Sequence, residues 1–377
     1  MDFGFTEEQV LLRRSVREFA DSQVAPEVAR MEESGKPPLD LIRKMGEMGY
    51  VGVAVPTEQG GSGLGHLARI ILLEEIARVS AAAAVNLEML HVGLAPILDF
   101  GSQEQQERYL PGLIAGKLIP ALAVTEPSGG SDPASATTTA VRDGDNWVLN
   151  GRKCFITNAH IADVATVLAR TGEGPKGFSA FLVARGTPGF RATREEQKVG
   201  LRGCNTGELV FEQCTLPRDA LLGKEGDGLK VALKSISEIG RGGMAACALG
   251  VLQACIDASR KFAKERHLYG APISGLQAIQ FKIAEMALDL EAARLLCYRA
   301  AWLKDRGQRC DLQFAQAKLF ATEAAVAAAK KTMDIHGGYG CMMDFPAQRL
   351  YRDAQVLIPS SGTSDVMKLL ISRAALG

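Results

Sequence analysis

The stretch Asn146-Trp147-Val148-Leu149-Asn150-Gly151-Arg152-Lys153-Cys154-Phe155-Ile156-Thr157-Asn158 decides how the chain is read. Its apolar residues recur in short runs rather than at helical spacing. From about residue 134 to 217 the hydrophobic period shortens toward two, which is the period of a strand with one buried face. Asn150-Gly151 between two apolar runs predicts a hairpin, because both residues tolerate positive φ. Further strands are expected at 163–169, 179–184 and 208–211. A β unit therefore interrupts a chain that is helical on both sides.

On the N-terminal side, Thr6-Glu7-Glu8-Gln9 has the form of a capping box, and Leu12, Val16 and Phe19 follow at helical spacing. Pro26 is expected to limit this first helix. A second helix is predicted over 38–49, a glycine-rich loop over 58–65, and further helices over 70–79, 84–100 and 103–115. On the C-terminal side, three alanine-rich segments over 240–266, 275–306 and 311–336 are long enough to span a domain. Joined by short loops, they predict an antiparallel bundle. The fold class is α+β, mainly α, with a helical domain over 1–119, a β domain over 120–226 and a helical bundle over 227–377.

Composition bounds the function. The 377 residues carry 43 Lys+Arg against 43 Asp+Glu, so net charge is zero and no strongly basic nucleic-acid surface is expected. No apolar run reads as approaching the roughly 20 residues of a bilayer-spanning helix. The start Met1-Asp2-Phe3-Gly4-Phe5-Thr6 lacks the pattern of a secretory signal. Eight cysteines without C-x-x-C spacing and five histidines without ligand spacing predict free thiols in a reducing cytoplasm and no metal site.

Three segments could carry chemistry. Thr125-Glu126-Pro127-Ser128-Gly129-Gly130-Ser131-Asp132 offers hydroxyls and glycine amides to a phosphate or a heteroaromatic ring, although a simple turn would look the same. It does not join a strand to a helix in G-x-G-x-x-G form, so it is not a dinucleotide fingerprint. Glu265-Arg266-His267-Leu268-Tyr269-Gly270 closes one long helix with a cation, and Ile335-His336-Gly337-Gly338-Tyr339-Gly340 ends another. Taken singly, a helix dipole and a glycine C-cap account for these two.

Their order is more specific. T-E-P-x-x-G-S-D, a β segment with F-I-T-N, E-R-x-x-Y-G, H-G-G-Y-G and a final G-T-S together resemble the acyl-CoA dehydrogenase family over essentially the whole chain. The resemblance implies a helical N-terminal domain, a middle β-barrel-like domain and a C-terminal four-helix bundle. It also implies FAD bound between subunits of a homotetramer. The expected activity is oxidation of acyl-CoA thioesters at Cα–Cβ, with hydride passing to flavin N5 and electrons leaving through electron-transferring flavoprotein. Thr125 and Ser131 resemble residues that contact the flavin and pyrophosphate, and Phe155 and Thr157 the pair flanking the ring. Arg266, Tyr269 and Gln277 resemble residues holding the adenine and pyrophosphate end of a neighbouring subunit's FAD. Gly337 and Gly338 would admit its backbone, and Thr363 would lie near the adenosine. Asp334 stands where Gln is more usual. Arg241 matches an arginine near the CoA arm, and Glu238 an acid near the pantetheine.

The departure from the family is at the base. A positioned carboxylate normally takes the α-proton, and in most members it is a Glu immediately before the terminal Gly-Thr. Here that residue is Ser361. A smaller branch carries its Glu immediately before the bundle arginine, and here that residue is Gly240. Three explanations follow. The base comes from elsewhere, as in members acting on alicyclic thioesters such as cyclohexene-carboxyl-CoA, and the candidates are Glu88 and His91, three residues apart on one helix face. Alternatively, the scaffold serves chemistry that needs no α-proton base, such as desulfination or flavin mono-oxygenation. Or the chain is the non-catalytic partner in a hetero-oligomer. An anionic sulfinate should meet an arginine, and the helix carrying Glu88 has none. The reading adopted is an FAD-dependent oxidoreductase acting on an unusual, alicyclic CoA thioester.

Overall fold

A computed structural model of the protein describes residues 4–174 and 176–377. Of the N-terminal hexapeptide read above, Met1, Asp2 and Phe3 lie outside the described residues. The capping box forms as predicted: the Thr6 hydroxyl accepts from the Gln9 amide, and the Gln9 side chain accepts from the Thr6 N–H, opening α1 (Glu7–Phe19). Pro26 does not break the path. The chain leaves α geometry at Phe19, passes through a π turn at Ala20–Val24 and a 3₁₀ turn at Ala25–Glu27, and resumes as α2 (Val28–Ser34). Pro26 falls in the first turn of that 3₁₀ segment, where a missing N–H costs no helical bond.

α3 (Leu39–Glu47), α4 (Gly65–Val79), α5 (Ala81–Phe100) and α6 (Gln103–Ile114) complete the N-terminal layer. α4 is its hub. Glu75 accepts from Arg13 and Arg17 of α1, while the adjacent Glu74 accepts from Arg294 and Tyr298 in the C-terminal part. Two stretches, Ala81–Phe100 and Gly228–Glu265, are long and apolar enough to cross a membrane, which corrects the expectation that no run approaches that length. Their apolar windows are 89% and 83% buried inside the protein, so the core accounts for the composition.

The middle part is a mixed sheet. β1 (Pro120–Ala123), β2 (Thr139–Asp143), β3 (Asn146–Thr157), β4 (Val164–Arg170), β5 (Phe178–Ala184), β6 (Phe190–Glu195), β7 (Thr206–Pro217) and β8 (Leu221–Leu222) form it. The order is β6-β7-β3-β2-β4-β5-β8, with β1 added in parallel to β4. Trp147 and Phe181 meet edge-to-face in its core, with centroids 5.1 Å apart.

The hairpin predicted at Asn150-Gly151 is not there. β3 runs straight through it, and the register against β7 slips between Leu149 and Gly151 as a bulge. Gly151 has φ 152°, and a Cβ on it would lie 2.5 Å from the Thr138 hydroxyl oxygen, so glycine answers a close approach rather than a reversal. The actual turn is one step earlier, at Gly144-Asp145, where Asp143 pairs with Asn146.

α7 (Gly228–Lys234) and a π turn at Ser235–Gly240 lead into the bundle of α8 (Arg241–Glu265), α9 (Gln277–Asp305), α10 (Asp311–His336) and α11 (Pro346–Leu357). A short hairpin of β9 (His267–Leu268) and β10 (Ala271–Pro272) separates α8 from α9, and α12 (Ser364–Leu376) follows the bundle. Small residues let the helices approach. A Cβ on Gly250 of α8 would lie 2.4 Å from the Ala77 Cβ of α4, and alanines such as 245, 248, 321 and 325 are wholly buried.

Candidate active site

The two positions from which the resemblance expects a carboxylate converge. Gly240 ends the π turn before α8, and Ser361 sits in the loop between α11 and α12. A Cβ built on Gly240 would lie 2.7 Å from the Ser361 Oγ and 3.7 Å from the Val92 Cγ2. A side chain from either position would therefore enter the same small volume, which the Ser361 hydroxyl occupies. Ser361 has φ 56° and Gly362 φ 110°, so the loop turns through left-handed conformations at this point. Val92, Ala95 and Ile239, with Met89 and Leu122 against them, form a separate small apolar cluster beside it.

Glu88 lies deeper. Val92 faces Gly240, and Glu88, one turn back on α5, faces Gly243, where a Cβ would fall 1.9 Å from the Glu88 Cδ. The carboxylate is thus about 5 Å further along the α5–α8 seam, one helical pitch. It is wholly buried and paired with Arg69 of α4 at 2.6 Å. His91 Nδ1 is 3.3 Å from the same carboxylate oxygen, and His91 Nε2 is 3.0 Å from the Tyr50 carbonyl. The two ring nitrogens thus face the Glu88 carboxylate and the Tyr50 carbonyl. The expected pair comes together, but inside a closed network and not as a free base. Its remaining open valences are Glu88 Oε1 and Arg69 Nε, both buried and without a hydrogen-bond partner.

Arg69 was not singled out from the sequence. It also donates from Nη2 to the Ile239 carbonyl at 3.2 Å, tying the network to the π turn. An arginine does therefore border this region, but Glu88 already engages it, and an anionic acyl group would have to compete with that carboxylate.

Arg241 is buried at the head of α8, with no partner for its Nε. Burial lowers its pKa, and the Asp311 charge partly offsets this. Glu238 is engaged elsewhere: Lys304 of α9 donates to it at 2.6 Å.

The positions that resemble FAD contacts fall in two groups. In the first, the 125–132 turn abuts β3, with the Cys154 N–H donating to the Thr125 carbonyl at 2.9 Å. The register slip between Lys153 and Ile156 throws Phe155 outward at φ 56° and 65% exposure. Thr157 closes the strand and is half-buried, and Ser131 is exposed in the turn. Two residues not singled out hold this geometry. Buried Lys153 donates to Glu126 at 2.8 Å and to the Val124 carbonyl at 3.1 Å, and Glu126 also accepts from the Thr137 and Thr138 amides. Burial alone would raise the Glu126 carboxyl; the hydrogen bonds from Lys153, Thr138 and Thr137 overcome this and hold it at about 2.

The second group lines a cavity of about 580 Å³ between α8, α9 and the end of α10. Arg266, Asp334, Gly337 and Gly338 are all on its wall, with the Arg266 guanidinium 5.7 Å from the Tyr339 ring centroid. Nothing lies within 4 Å of a Cβ built on Gly337 or Gly338, so a ligand can approach their backbone. Asp334 is ion-paired with Lys330 at 3.0 Å. Tyr269, 96% exposed, and Gln277, at the first turn of α9, lie beside the cavity and do not line it. Thr363 caps α12, accepting from the Val366 amide. An outward aromatic at a bulge, a hydroxyl-rich turn and a cavity with an open glycine wall and a cation fit the ring, pyrophosphate and adenosine of FAD.

Comparison with known proteins agrees with this. The acyl-CoA dehydrogenase N-terminal domain matches residues 6–117, the middle domain 121–214 and the C-terminal domain 226–376. The chain belongs to the acyl-CoA dehydrogenase family. An acyl-CoA dehydrogenase of Bacillus subtilis is 44% identical over 99% of both chains. A 3-(aryl)acrylate reductase of Clostridium sporogenes is 39% identical over 98% of both. The solved butyryl-CoA dehydrogenase of Megasphaera elsdenii, 34% identical, superposes over 100% of both chains with a TM-score of 0.97. The protein is a flavoprotein oxidoreductase that acts on CH–CH groups of acyl-CoA, with FAD as its cofactor.

Proposed function

We propose that this flavoprotein oxidises a CoA thioester whose acyl group is an alicyclic ring, cyclohexane- or cyclohexene-carboxyl-CoA in type. The observation that carries the proposal is the convergence of Gly240 and Ser361 with no carboxylate between them. A straight-chain thioester would find no carboxylate there, only the Ser361 hydroxyl packed against Gly240. The adjoining side chains of Val92, Ala95 and Ile239 give the site an apolar border compatible with a hydrocarbon ring. The relative named 3-(aryl)acrylate reductase is consistent with a ring-bearing substrate on this scaffold.

FAD, when bound, supplies the hydride acceptor. The chain's own residues bind and orient the thioester: Arg241 anchors the CoA end, Ser361 donates a hydrogen bond where the carboxylate stands in other members, and the apolar cluster receives the ring. In a cyclohexene thioester the ring double bond, conjugated with the carbonyl, acidifies a ring carbon beyond Cα, and its proton leaves toward the Glu88–His91 pair one turn deeper. Thr125, Ser131, Phe155 and Thr157 hold the flavin end of FAD, and Arg266, Tyr269, Gln277, Gly337, Gly338 and Thr363 the adenosine end. Glu238 has no part in this reading, because Lys304 engages it.

We further propose a cytoplasmic homotetramer that passes electrons to electron-transferring flavoprotein. Phe281, Leu288, Leu295 and Trp302 recur every seven residues on α9 with exposures of 61%, 71%, 47% and 44%, a stripe suited to burial between copies. The test is anaerobic addition of ring thioesters to the yellow enzyme. Bleaching by these, lost in His91→Ala and Glu88→Gln variants, supports the substrate and proton-acceptor assignments. Bleaching that survives both substitutions removes the proton-acceptor assignment.

A further inference from the structure

Lys318 is a buried cation that the reading above does not use. It lies in the middle of α10 with a side chain that is wholly buried and, among the described residues, without a carboxylate in hydrogen-bond contact. Its ammonium donates to two backbone carbonyls, that of Ile358 and that of Gly362, the latter at 2.8 Å. Those carbonyls bracket Ser361. The loop is fixed further along as well: the Ser360 hydroxyl donates to the Val356 carbonyl at 2.7 Å, and the Ser364 hydroxyl to Glu323 at 2.5 Å. These last bonds hold the ends, whereas among the described residues Lys318 alone joins both sides of the residue in the left-handed conformation.

We propose that Lys318 is a positioning residue, which clamps the 358–362 loop so that the Ser361 hydroxyl is pinned against Gly240. The inference rests on the ring-thioester reading for its meaning in catalysis, but not for the clamp itself. A left-handed serine is a strained conformation that persists only when its surroundings over-determine it. Hydrogen bonds from a charged donor are stronger than neutral ones. The strength of the clamp therefore depends on the charge of Lys318. Burial lowers its pKa to about 8; Glu323 on its own helix opposes this, and Arg241 at the head of α8 adds to it. The loop itself faces the ammonium with carbonyls only.

The test uses FAD-loaded full-length enzyme in three forms: wild type, Lys318→Met and Lys318→Arg. Hydrogen exchange at pH 7 should be at least ~10-fold faster in residues 357–366 of Lys318→Met, and less accelerated in Lys318→Arg, which keeps the charge but must fit a larger head group. The rate of anaerobic flavin bleaching by cyclohexene-carboxyl-CoA should fall about 10-fold between pH 7 and 9 in wild type. It should be flat over that range in Lys318→Arg, and low and flat in Lys318→Met with KM unchanged. A wild-type pH profile persisting in Lys318→Arg would overturn the proposal, as would unchanged loop exchange in Lys318→Met. If Lys318→Met does not fold, the comparison of wild type with Lys318→Arg still decides it. Absence of bleaching in wild type would remove the substrate reading and leave the exchange result to judge the clamp.

Discussion

Ser361→Glu should convert the protein into an ordinary straight-chain dehydrogenase. Ser361 already holds φ 56°, so the replacement inherits a backbone conformation that the wild type sustains. Gly240 has no Cβ to oppose the longer side chain: one built there would stand 2.7 Å from the present hydroxyl. A positioned general base contributes roughly 10²–10⁴ in rate, or about 2.7–5.5 kcal/mol of barrier. The assay is anaerobic stopped-flow bleaching of the flavin by butyryl-CoA. Wild type should be at baseline, Ser361→Glu about 10²–10⁴ faster, and Ser361→Gln, of the same shape without the base, should stay at baseline. Equal rates for the Glu and Gln variants at equal FAD content would refute the reasoning. So would a wild type already as fast as Ser361→Glu.

The remaining predictions concern stability and cofactor retention. Arg69→Met leaves the Glu88 carboxylate buried without its cation and should cost about 3–5 kcal/mol in denaturant unfolding; a loss below 1 kcal/mol would contradict a strong buried pair. Glu126 is held at about 2 against an ordinary value near 4.5. Its stabilisation is therefore complete above that ordinary value and lost as pH falls through about 2, of order 3 kcal/mol in total. The stability gap between wild type and Glu126→Gln should accordingly shrink between pH 5 and 2, and a constant gap would argue against it. Gly338→Val should fold normally, since nothing lies within 4 Å of the added Cβ, yet purify with less than a tenth of the wild-type FAD; full flavin content would move the adenosine away from this wall.

What could be read from the sequence was whatever depends on local pattern. The Thr6 cap, the long bundle helices and the change of period near Pro120 all stand in the structure because each is decided within a few residues. Asn150-Gly151 was misread for the same reason. The dipeptide is turn-prone by itself, but Thr139 of β2 pairs with Asn150 and Phe211 of β7 with Gly151, and tertiary pairing outweighs local preference. Glu88 and His91 were found because helix spacing alone puts them together. Arg69 and Lys318 were not, because a basic residue in a helix reads as solvated until its neighbours are known. Lys153 escaped likewise, although its partner Glu126 lies inside the T-E-P turn.

The central claim is that a ring thioester, and not a straight chain, is the substrate of a site without the usual carboxylate. The direct measurement is the anaerobic bleaching rate of wild-type holoenzyme with cyclohexane- and cyclohexene-carboxyl-CoA set against butyryl-CoA. Reduction by a ring thioester should be at least ~10²-fold faster than by butyryl-CoA, the lower limit of what a positioned base contributes. Equal or faster reduction by butyryl-CoA would contradict it.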